Sequence, residues 1–176
     1  MCFNTRLMST TNNSRIHYPV MLKESLGGMD LKPGQTVVDC TVNRAGHSIE
    51  IAKVIGSSGT LICFDLDNSA LSEAKVNLAA LGSASPKIYF VNSNFRNIKD
   101  ELTKIGISKI DALLADLGVS SEEIDISGRG FTFQKDEPLL MTLKNPITEE
   151  DITAEYIVNN WSEDTIASIL YAYADE

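Results

Sequence analysis

Three acidic side chains each end a short apolar run that has the composition of a buried strand: Asp39, Asp65 and Asp116. Asp65 lies about 20 residues beyond Gly46, the spacing at which an acidic residue accepts hydrogen bonds from the ribose hydroxyls of a nucleotide-like ligand. An aromatic residue, Phe95, follows a fourth apolar run. One acid at a strand end is often only a turn or capping residue, but three acids and an aromatic ring on one rim favour a ligand site.

The first acid belongs to a junction of strand, loop and helix in residues 36–48, TVVDCTVNRAGHS. The β-branched residues 36–38 predict a strand, and the apolar spacing from Ile49 to Ile55 predicts a helix after a turn through residues 43–46. Such a junction places unpaired backbone N–H groups and the positive end of a helix dipole beside a strand end, where a nucleotide-like ligand can bind. The same junction occurs as plain scaffold in many α/β proteins, so this stretch alone leaves both interpretations open.

Repetition of this unit predicts the fold class. Further apolar strands are predicted over residues 60–64, 87–91 and 110–115, and helices with one apolar face follow the first two of them. Near-continuous apolar strands that alternate with helices indicate an α/β protein with a parallel, doubly wound, Rossmann-like sheet. The carboxyl ends of parallel strands meet at one edge, so the three acids and the loop of residues 92–95 are expected to converge there.

The regular pattern stops after Asp116. Residues 117–135 are polar and carry the cluster RGFTF, which could cover a ligand or form a long connection. A helix is predicted to open at Thr148 and to end near Trp161, and Ser162 is predicted to cap another helix. No further strand pattern follows.

Length and composition bound the class of protein. A chain of 176 residues with 43% hydrophobic residues suits one domain with a proper core, and it contains no run of 18 apolar residues that would predict a membrane span. The net charge of −9 argues against a broad basic face, so any RNA contact must be local.

The cysteines and the N-terminal residues carry weaker signals. Cys2, Cys40 and Cys63 have no metal-like spacing, so they predict no metal site and fit small buried thiols in a reducing, cytoplasmic setting. Residues 1–16 are predicted to be a flexible tail, although a polar stretch without acidic residues faintly resembles an organellar transit peptide.

Several motifs together resemble those of the S-adenosylmethionine-dependent methyltransferases of the MraW family. They occur in the family's order from His17 to the last residue: HYPVM, DCTVNRAGHS, FDLD, DLGVSS, RGFTFQKDEPL and ILYAYADE. DLGVSS followed by RGF-x-F and D-x-PL is far more specific than a glycine loop. The family methylates the exocyclic N4 of a cytosine in bacterial small-subunit ribosomal RNA. The resemblance therefore implies a class I methyltransferase sheet, S-adenosylmethionine as cofactor, and that RNA or its assembling particle as partner.

The resemblance also implies contacts between the cofactor and five residues of the first three units. Ala45, Gly46 and His47 would line its methionine end. Asp65 would hold the ribose hydroxyls, and Phe95 would pack beside the adenine. His47 could instead cap its own helix, and Phe95 could instead belong to the core.

Three residues beyond the third unit complete the implied site. Asp116 would lie close to the sulfonium, and Glu123 occupies a position where relatives carry a cofactor-contacting Gln. Cytosine N4 is a poor nucleophile, so a carboxylate that draws on its protons would help, which makes Asp116 the candidate catalytic residue; a purely cofactor-orienting role is the alternative. Arg129 is the candidate substrate-binding residue, meeting a phosphate of an unstacked nucleotide, and pairing with a nearby acid is its alternative.

The chain departs from the family pattern in four respects. Its glycine-rich loop is thinned to Asn43 and Ala45, and Leu140 and Thr142 stand where relatives usually carry Asp and Arg. Family members also continue much further, which implies a truncated sheet: residues 17–140 would form the cofactor domain and residues 141–176 the start of a helical insert. An uncovered half sheet predicts a homo-oligomer or a partner chain that completes the fold.

Two other functions compete with methyl transfer by this chain. The first is a binding module that keeps the cofactor pocket but transfers no methyl group without its missing half or a partner. The second is a nicotinamide dinucleotide protein, which is weakened by DLGVSS and by the missing second and third glycines of the dinucleotide motif.

Overall fold

The computed structural model of the chain describes residues 19–174. Cys2, His17 and the predicted tail of residues 1–16 lie outside the described residues. The proposed division at residue 140 stays a prediction.

Four parallel strands form the sheet: β1 Thr36–Asp39, β2 Thr60–Asp65, β3 Lys87–Asn92 and β4 Ala112–Leu114. Their order is β3-β2-β1-β4, and all three neighbouring pairs are parallel. The predicted α/β, Rossmann-like class is confirmed. Because the strand order reverses at β1, the crevice beside the carboxyl ends of β1 and β4 is where such sheets bind ligands.

The described helices are α1 Leu22–Met29, α2 Gly46–Ile55, α3 Asn68–Ala79, α4 Ile98–Lys104, α5 Ser121–Asp125, α6 Ala154–Asn160 and α7 Glu163–Ala174. α1, α2 and α3 pack on one face of the sheet around a core that contains Val37 and Leu61, and α4 packs on the other face around Val38 and Phe64. Successive strand residues point to opposite faces, so β1 and β2 supply both cores. The sheet is doubly wound, as predicted.

β4 is shorter than the predicted run of residues 110–115. Within residues 19–174 it pairs with β1 alone, and β1 ends at Asp39 opposite Leu114. Ile110 packs into the core beside α4 rather than extending the ladder. The side chain of Leu113 is 46% exposed. β4 is therefore an edge strand of the described sheet.

The prediction that a helix opens at Thr148 is wrong. The Asp151 carboxylate accepts hydrogen bonds from the Thr148 N–H and from Lys144 Nζ, both at 2.7 Å, and these contacts close a turn. The helix begins six residues later, at Ala154, where Thr153 is the N-cap residue. A capping pattern in the sequence thus marked a turn stabilised by a lysine rather than a helix start.

The predicted start of α7 and the predicted buried thiols agree with the structure. Ser162 Oγ accepts a hydrogen bond from the Thr165 N–H at 3.3 Å, so the cap of α7 is confirmed. Cys40 and Cys63 are buried free thiols, and burial raises the pKa of both. No helix in the described part of the chain is long and apolar enough to cross a membrane.

Candidate active site

A cleft of about 680 Å³ opens at the carboxyl edge of the sheet. Small-molecule sites typically occupy roughly 300–1,000 Å³. Seven of the eight predicted site residues line it: Gly46, His47, Asp65, Phe95, Asp116, Glu123 and Arg129. The eighth, Ala45, is fully buried in the core of α1, α2 and α3 and does not line the cleft, so contact between its side chain and a ligand has no geometric support.

The loop between β1 and α2 follows a tight path although residues 43 and 45 are not glycines. Asn43 and Ala45 both have a left-handed backbone conformation, with φ of 44° and 66°. That conformation costs a residue with a side chain about 1–2 kcal/mol. Backbone hydrogen bonds from Val42 to Phe64 at 2.9 Å and from Ala45 to Val42 at 2.7 Å hold the loop. The turn therefore stays tight with side chains at both left-handed positions.

Gly46 begins α2 at a point of close approach. A Cβ atom added there would lie 2.6 Å from Cγ of Pro19, which with Val20 lines the cleft beside this helix end. The first N–H groups of a helix have no intrahelical partner, and the N-cap residue, Ala45, offers no side-chain cap. Such a helix end can hold the carboxylate of a ligand.

His47 links the beginning of the described chain to the cleft. Its buried ring places Nε2 3.1 Å from the Val20 carbonyl oxygen and Nδ1 3.9 Å from Oδ2 of Asp116. Because a carbonyl oxygen can only accept, Nε2 donates the hydrogen bond to Val20, and the other ring nitrogen, Nδ1, faces the Asp116 carboxylate. The ring therefore does not cap its own helix, which was the alternative interpretation.

Asp116 is positioned by a chain of hydrogen bonds from the core. Its N–H donates to Thr41 Oγ1 at 2.9 Å, and the Thr41 N–H donates to Asp39 Oδ1 at 3.1 Å. Ser48 Oγ donates to the other Asp39 oxygen at 2.7 Å. The side chain of Asp116 is 52% exposed at the mouth of the cleft.

Asp39 does not belong to the rim on which the sequence placed it. It is 1% exposed and lies beneath the cleft. Burial raises the pKa of its carboxyl group, although the hydrogen bonds from Ser48 and from the Thr41 N–H act in the opposite direction. Asp39 therefore orders the loop from below rather than contacting a ligand.

Asp65 faces the cleft in a fixed orientation. Its Oδ2 accepts a hydrogen bond from the Asn43 N–H and its Oδ1 accepts one from the Asp67 N–H, both at 2.9 Å. Burial raises the pKa of this carboxyl group, and the charges of Asp67 and Glu123 raise it further, against the lowering effect of the two N–H donors. Each carboxylate oxygen can accept more than one hydrogen bond, so Asp65 can also accept from ligand hydroxyls.

Phe95 stands at the carboxyl end of β3, in a short 3-10 turn over Phe95–Asn97. Its ring is 38% exposed, lines the cleft and belongs to neither hydrophobic core. Core packing, the alternative interpretation, is therefore wrong for this residue.

Glu123 and Arg129 meet on the side of the cleft formed by the segment after β4. Glu123 Oε2 accepts a hydrogen bond from the Ser120 N–H at 2.6 Å, and its Oε1 lies 3.8 Å from Nη2 of Arg129. Nη1 of Arg129 lies 3.4 Å from Oδ2 of Asp67 and donates to the Leu143 carbonyl oxygen at 3.1 Å. This guanidinium therefore has acidic partners inside the protein, and its contact with an RNA phosphate stays a prediction.

The sequence missed some residues of this cleft and overrated others. Asp67 lines it and is also the N-cap residue of α3, where its side chain accepts a hydrogen bond from the Ser69 N–H at 2.8 Å. Val20 lines it as well, and the HYPVM motif was the signal for that contact. Leu140 and Thr142 do not line the cleft.

Comparison with known proteins gives consistent matches over nearly the whole chain. Residues 14–176 match the MraW methylase family. The chain is 44% identical over 162 residues to the ribosomal RNA small subunit methyltransferase H of Finegoldia magna, a match that covers 91% of this chain and 49% of that protein. The equivalent proteins of Clostridioides difficile and Oceanobacillus iheyensis are 42% and 39% identical, and the matches cover 91% of this chain and 50% and 47% of those proteins. The chain thus spans about half the length of the curated relatives that it matches.

Proposed function

The chain belongs to the MraW methylase family, and we propose that it binds S-adenosylmethionine and transfers a methyl group to the exocyclic N4 of a cytosine in small-subunit ribosomal RNA. One observation carries this proposal. Residues that lie far apart in the sequence, Gly46, His47, Asp65 and Asp116, line a single cleft at the point where the strand order reverses. The proposed setting is the cytoplasm, and the proposed partner is the RNA or its assembling particle.

The residues of the cleft fit the chemistry of this cofactor. The N-terminus of α2 at Gly46 would hold the methionine carboxylate, and Asp65, fixed by two backbone N–H groups, would accept hydrogen bonds from the ribose hydroxyls. Phe95 offers an exposed ring for the adenine. S-adenosylmethionine supplies a methyl group activated on a positively charged sulfur.

Asp116 is the proposed catalytic residue. The lone pair of cytosine N4 is delocalised into the ring, so transfer needs accurate placement and an acceptor for an amino proton. Asp116 has a half-exposed carboxylate at the mouth of the cleft, and its backbone is held by Thr41. We therefore assign it both the orientation of the amino group and the acceptance of its proton.

The RNA has to present this base outside its stack, which favours a single-stranded or looped region. With a net charge of −9, the chain cannot hold RNA by a broad basic surface, and a few local contacts must position the nucleotide. A folded RNA or an assembled particle would supply the remaining orientation.

The test is transfer of a radiolabelled methyl group to small-subunit ribosomal RNA, both protein-free and in small-subunit particles, followed by mapping of the modified nucleotide. We expect label on N4 of one cytosine and a loss of about 100-fold or more in Asp116→Asn, the typical contribution of general acid–base catalysis. Asp100→Asn, which alters an exposed carboxylate on α4, is the matched control and should transfer normally. Label on another atom or another RNA would contradict the proposed substrate.

A second candidate function is cofactor binding without transfer until a partner or a second copy completes the fold. Two observations favour it: in the described part of the chain β4 pairs with β1 alone, and neither α6 nor α7 has a buried residue. Light scattering tests it, because a homo-oligomer or a captured completing chain is expected. A compact monomer that transfers methyl groups would exclude this alternative.

A further inference from the structure

Arg129 is the one buried arginine or lysine in the part of the chain that the structure describes, with 8% of the residue exposed. A buried charge needs partners, because its transfer out of water is costly. Arg129 finds them in Asp67 and Glu123, at 3.4 and 3.8 Å, and in the Leu143 carbonyl oxygen at 3.1 Å. All three partners line the cleft.

The backbone around Arg129 holds the guanidinium in this direction. The Arg129 carbonyl oxygen accepts a hydrogen bond from the Met141 N–H at 2.7 Å. The next residue, Gly130, has φ of 78°, and a Cβ atom there would lie 2.5 Å from the Pro138 carbonyl oxygen. This close crossing of two backbone segments leaves no room for a side chain. Arg129 is therefore built into the wall of the cleft.

The carboxylates of Asp65, Asp67 and Glu123 would repel one another without the Arg129 cation. Asp67 donates its N–H to Asp65, and the charges of Asp67 and Glu123 both disfavour ionisation of Asp65. The buried Asp39 lies close enough to feel the charge of Asp65 as well. Arg129 is the cation that faces two of these acids directly.

We propose that Arg129 is a positioning residue for the cofactor: it neutralises Asp67 and Glu123, so that Asp65 remains ionised and can accept hydrogen bonds from the ribose hydroxyls. This inference rests on the proposed function, because it assigns Asp65 the ribose. It replaces the phosphate contact predicted from the sequence with a role inside the cofactor site. Arg129 acts through Asp65 and does not touch the reacting atoms.

The test is calorimetric titration with S-adenosylmethionine between pH 5 and pH 8 for wild type, Arg129→Gln, Arg129→Lys and the double variant Arg129→Gln/Glu123→Gln. In Arg129→Gln the pKa of Asp65 should rise. At a pH below that pKa, each unit of the rise should weaken binding about tenfold, so the loss of affinity is largest at low pH. Arg129→Lys should retain most of the affinity. The double variant should recover much of the loss, because it removes one of the uncompensated acids.

The matched control is Arg96→Gln, which alters an exposed arginine in the turn beside Phe95 and should leave affinity and its pH dependence unchanged. If Arg129→Gln fails to fold, Glu123→Gln alone provides the test, since removal of that charge should shift the low-pH loss of binding to still lower pH. An unchanged pH dependence in that variant would overturn the proposal.

Three further results would overturn it. Arg129→Gln could bind as tightly as wild type at every pH. It could lose binding without recovery in the folded double variant, which would indicate a merely structural role. It could keep normal cofactor binding and lose methyl transfer to RNA, which would return Arg129 to phosphate contact. Failure of the wild type to bind S-adenosylmethionine would instead refute the proposed function and is detected before any variant is made.

Discussion

Two regions of the molecule are held together by different forces. In residues 36–78, termed here the core region, lie all the buried hydrophobic residues of the described chain except Pro86. In residues 117–174, termed the outer segment, Arg129 is the one buried residue among those described. The core region builds one side of the cleft by burying apolar side chains, and the outer segment closes the other side with polar contacts. Stability should therefore reside in the first region and be sensitive to charge in the second.

The largest expected difference comes from the same substitution in both regions. Leu61→Ala removes a fully buried side chain of β2 and should lower the free energy of unfolding by about 2–5 kcal/mol. Leu170→Ala, at a residue of α7 that is 48% exposed, should change it by less than about 0.5 kcal/mol. Urea unfolding followed by circular dichroism measures both. Equal losses would show that the outer segment also has a packed core.

The second test uses the buried Asp39 carboxylate. Burial raises its pKa in the folded protein above the ordinary value of 3.8, so the folded state holds this proton more tightly than the unfolded state does. Its contribution to the free energy of unfolding must therefore fall as pH rises from 3.8 through the raised pKa, by about 1.4 kcal/mol for each pH unit between the unfolded and folded pKa values. Asp39→Asn should remove this decline. If the urea midpoints decline equally with pH in the variant and the wild type, the Asp39 carboxyl group is not the cause of the decline. Asp100→Asn, at an exposed acid, is the control.

The third test asks whether the core region positions the proposed catalytic residue. Thr41→Val keeps the size of the side chain but removes the oxygen that accepts the Asp116 N–H. Loss of one such hydrogen bond, about 1 kcal/mol, should slow methyl transfer about fivefold while cofactor affinity changes little. Thr41→Ser should transfer normally. Single-turnover transfer, measured beside calorimetric affinity, distinguishes the two variants; equal slowing in both would exclude the hydrogen bond as the cause.

The smallest effect is expected in the outer segment, with the opposite dependence on pH. Hydrogen bonds from Lys144 and Thr148 lower the pKa of Asp151 to about 2, so this partly buried pair adds stability above pH 3.8 and loses it as pH falls toward 2. In Lys144→Met, stability should fall less steeply between pH 3.8 and pH 2. At neutral pH, the unfolding midpoint of this variant should change less than that of any core substitution. A larger change than in Leu61→Ala would contradict the assignment of stability to the core region.

The sequence predicted the core region well because its signals are local. The apolar runs of β1 and β2 and the one-sided face of α3 determine their own burial, and the parallel pairing of the strands brings Asp65 and Asp116 to one edge of the sheet. How deeply each acid is buried at that edge is not determined by the local sequence pattern. Asp39 ends β1 just as Asp65 ends β2, yet only Asp39 is fully buried, where the Thr41 N–H of the following loop and the Ser48 hydroxyl of α2 donate hydrogen bonds to its carboxylate.

The outer segment was predicted less well because its structure depends on contacts between distant polar residues. Thr148 and Asp151 have the spacing of a helix cap, but Lys144 completes a turn around that carboxylate. Arg129 has the chemistry to meet a phosphate, but its direction is set by the crossing of Gly130 and Pro138. Neither contact leaves a periodic signal in the sequence.

The most direct test of the central claim, that the described residues form a cofactor cleft, is calorimetric titration of the chain with S-adenosylmethionine in wild type and Asp65→Ala. Asp100→Ala, at an exposed acid outside the cleft, is the control. We expect micromolar binding by the wild type and the control, and loss of that binding in Asp65→Ala. No binding by the wild type, or undiminished binding by Asp65→Ala, would contradict the claim.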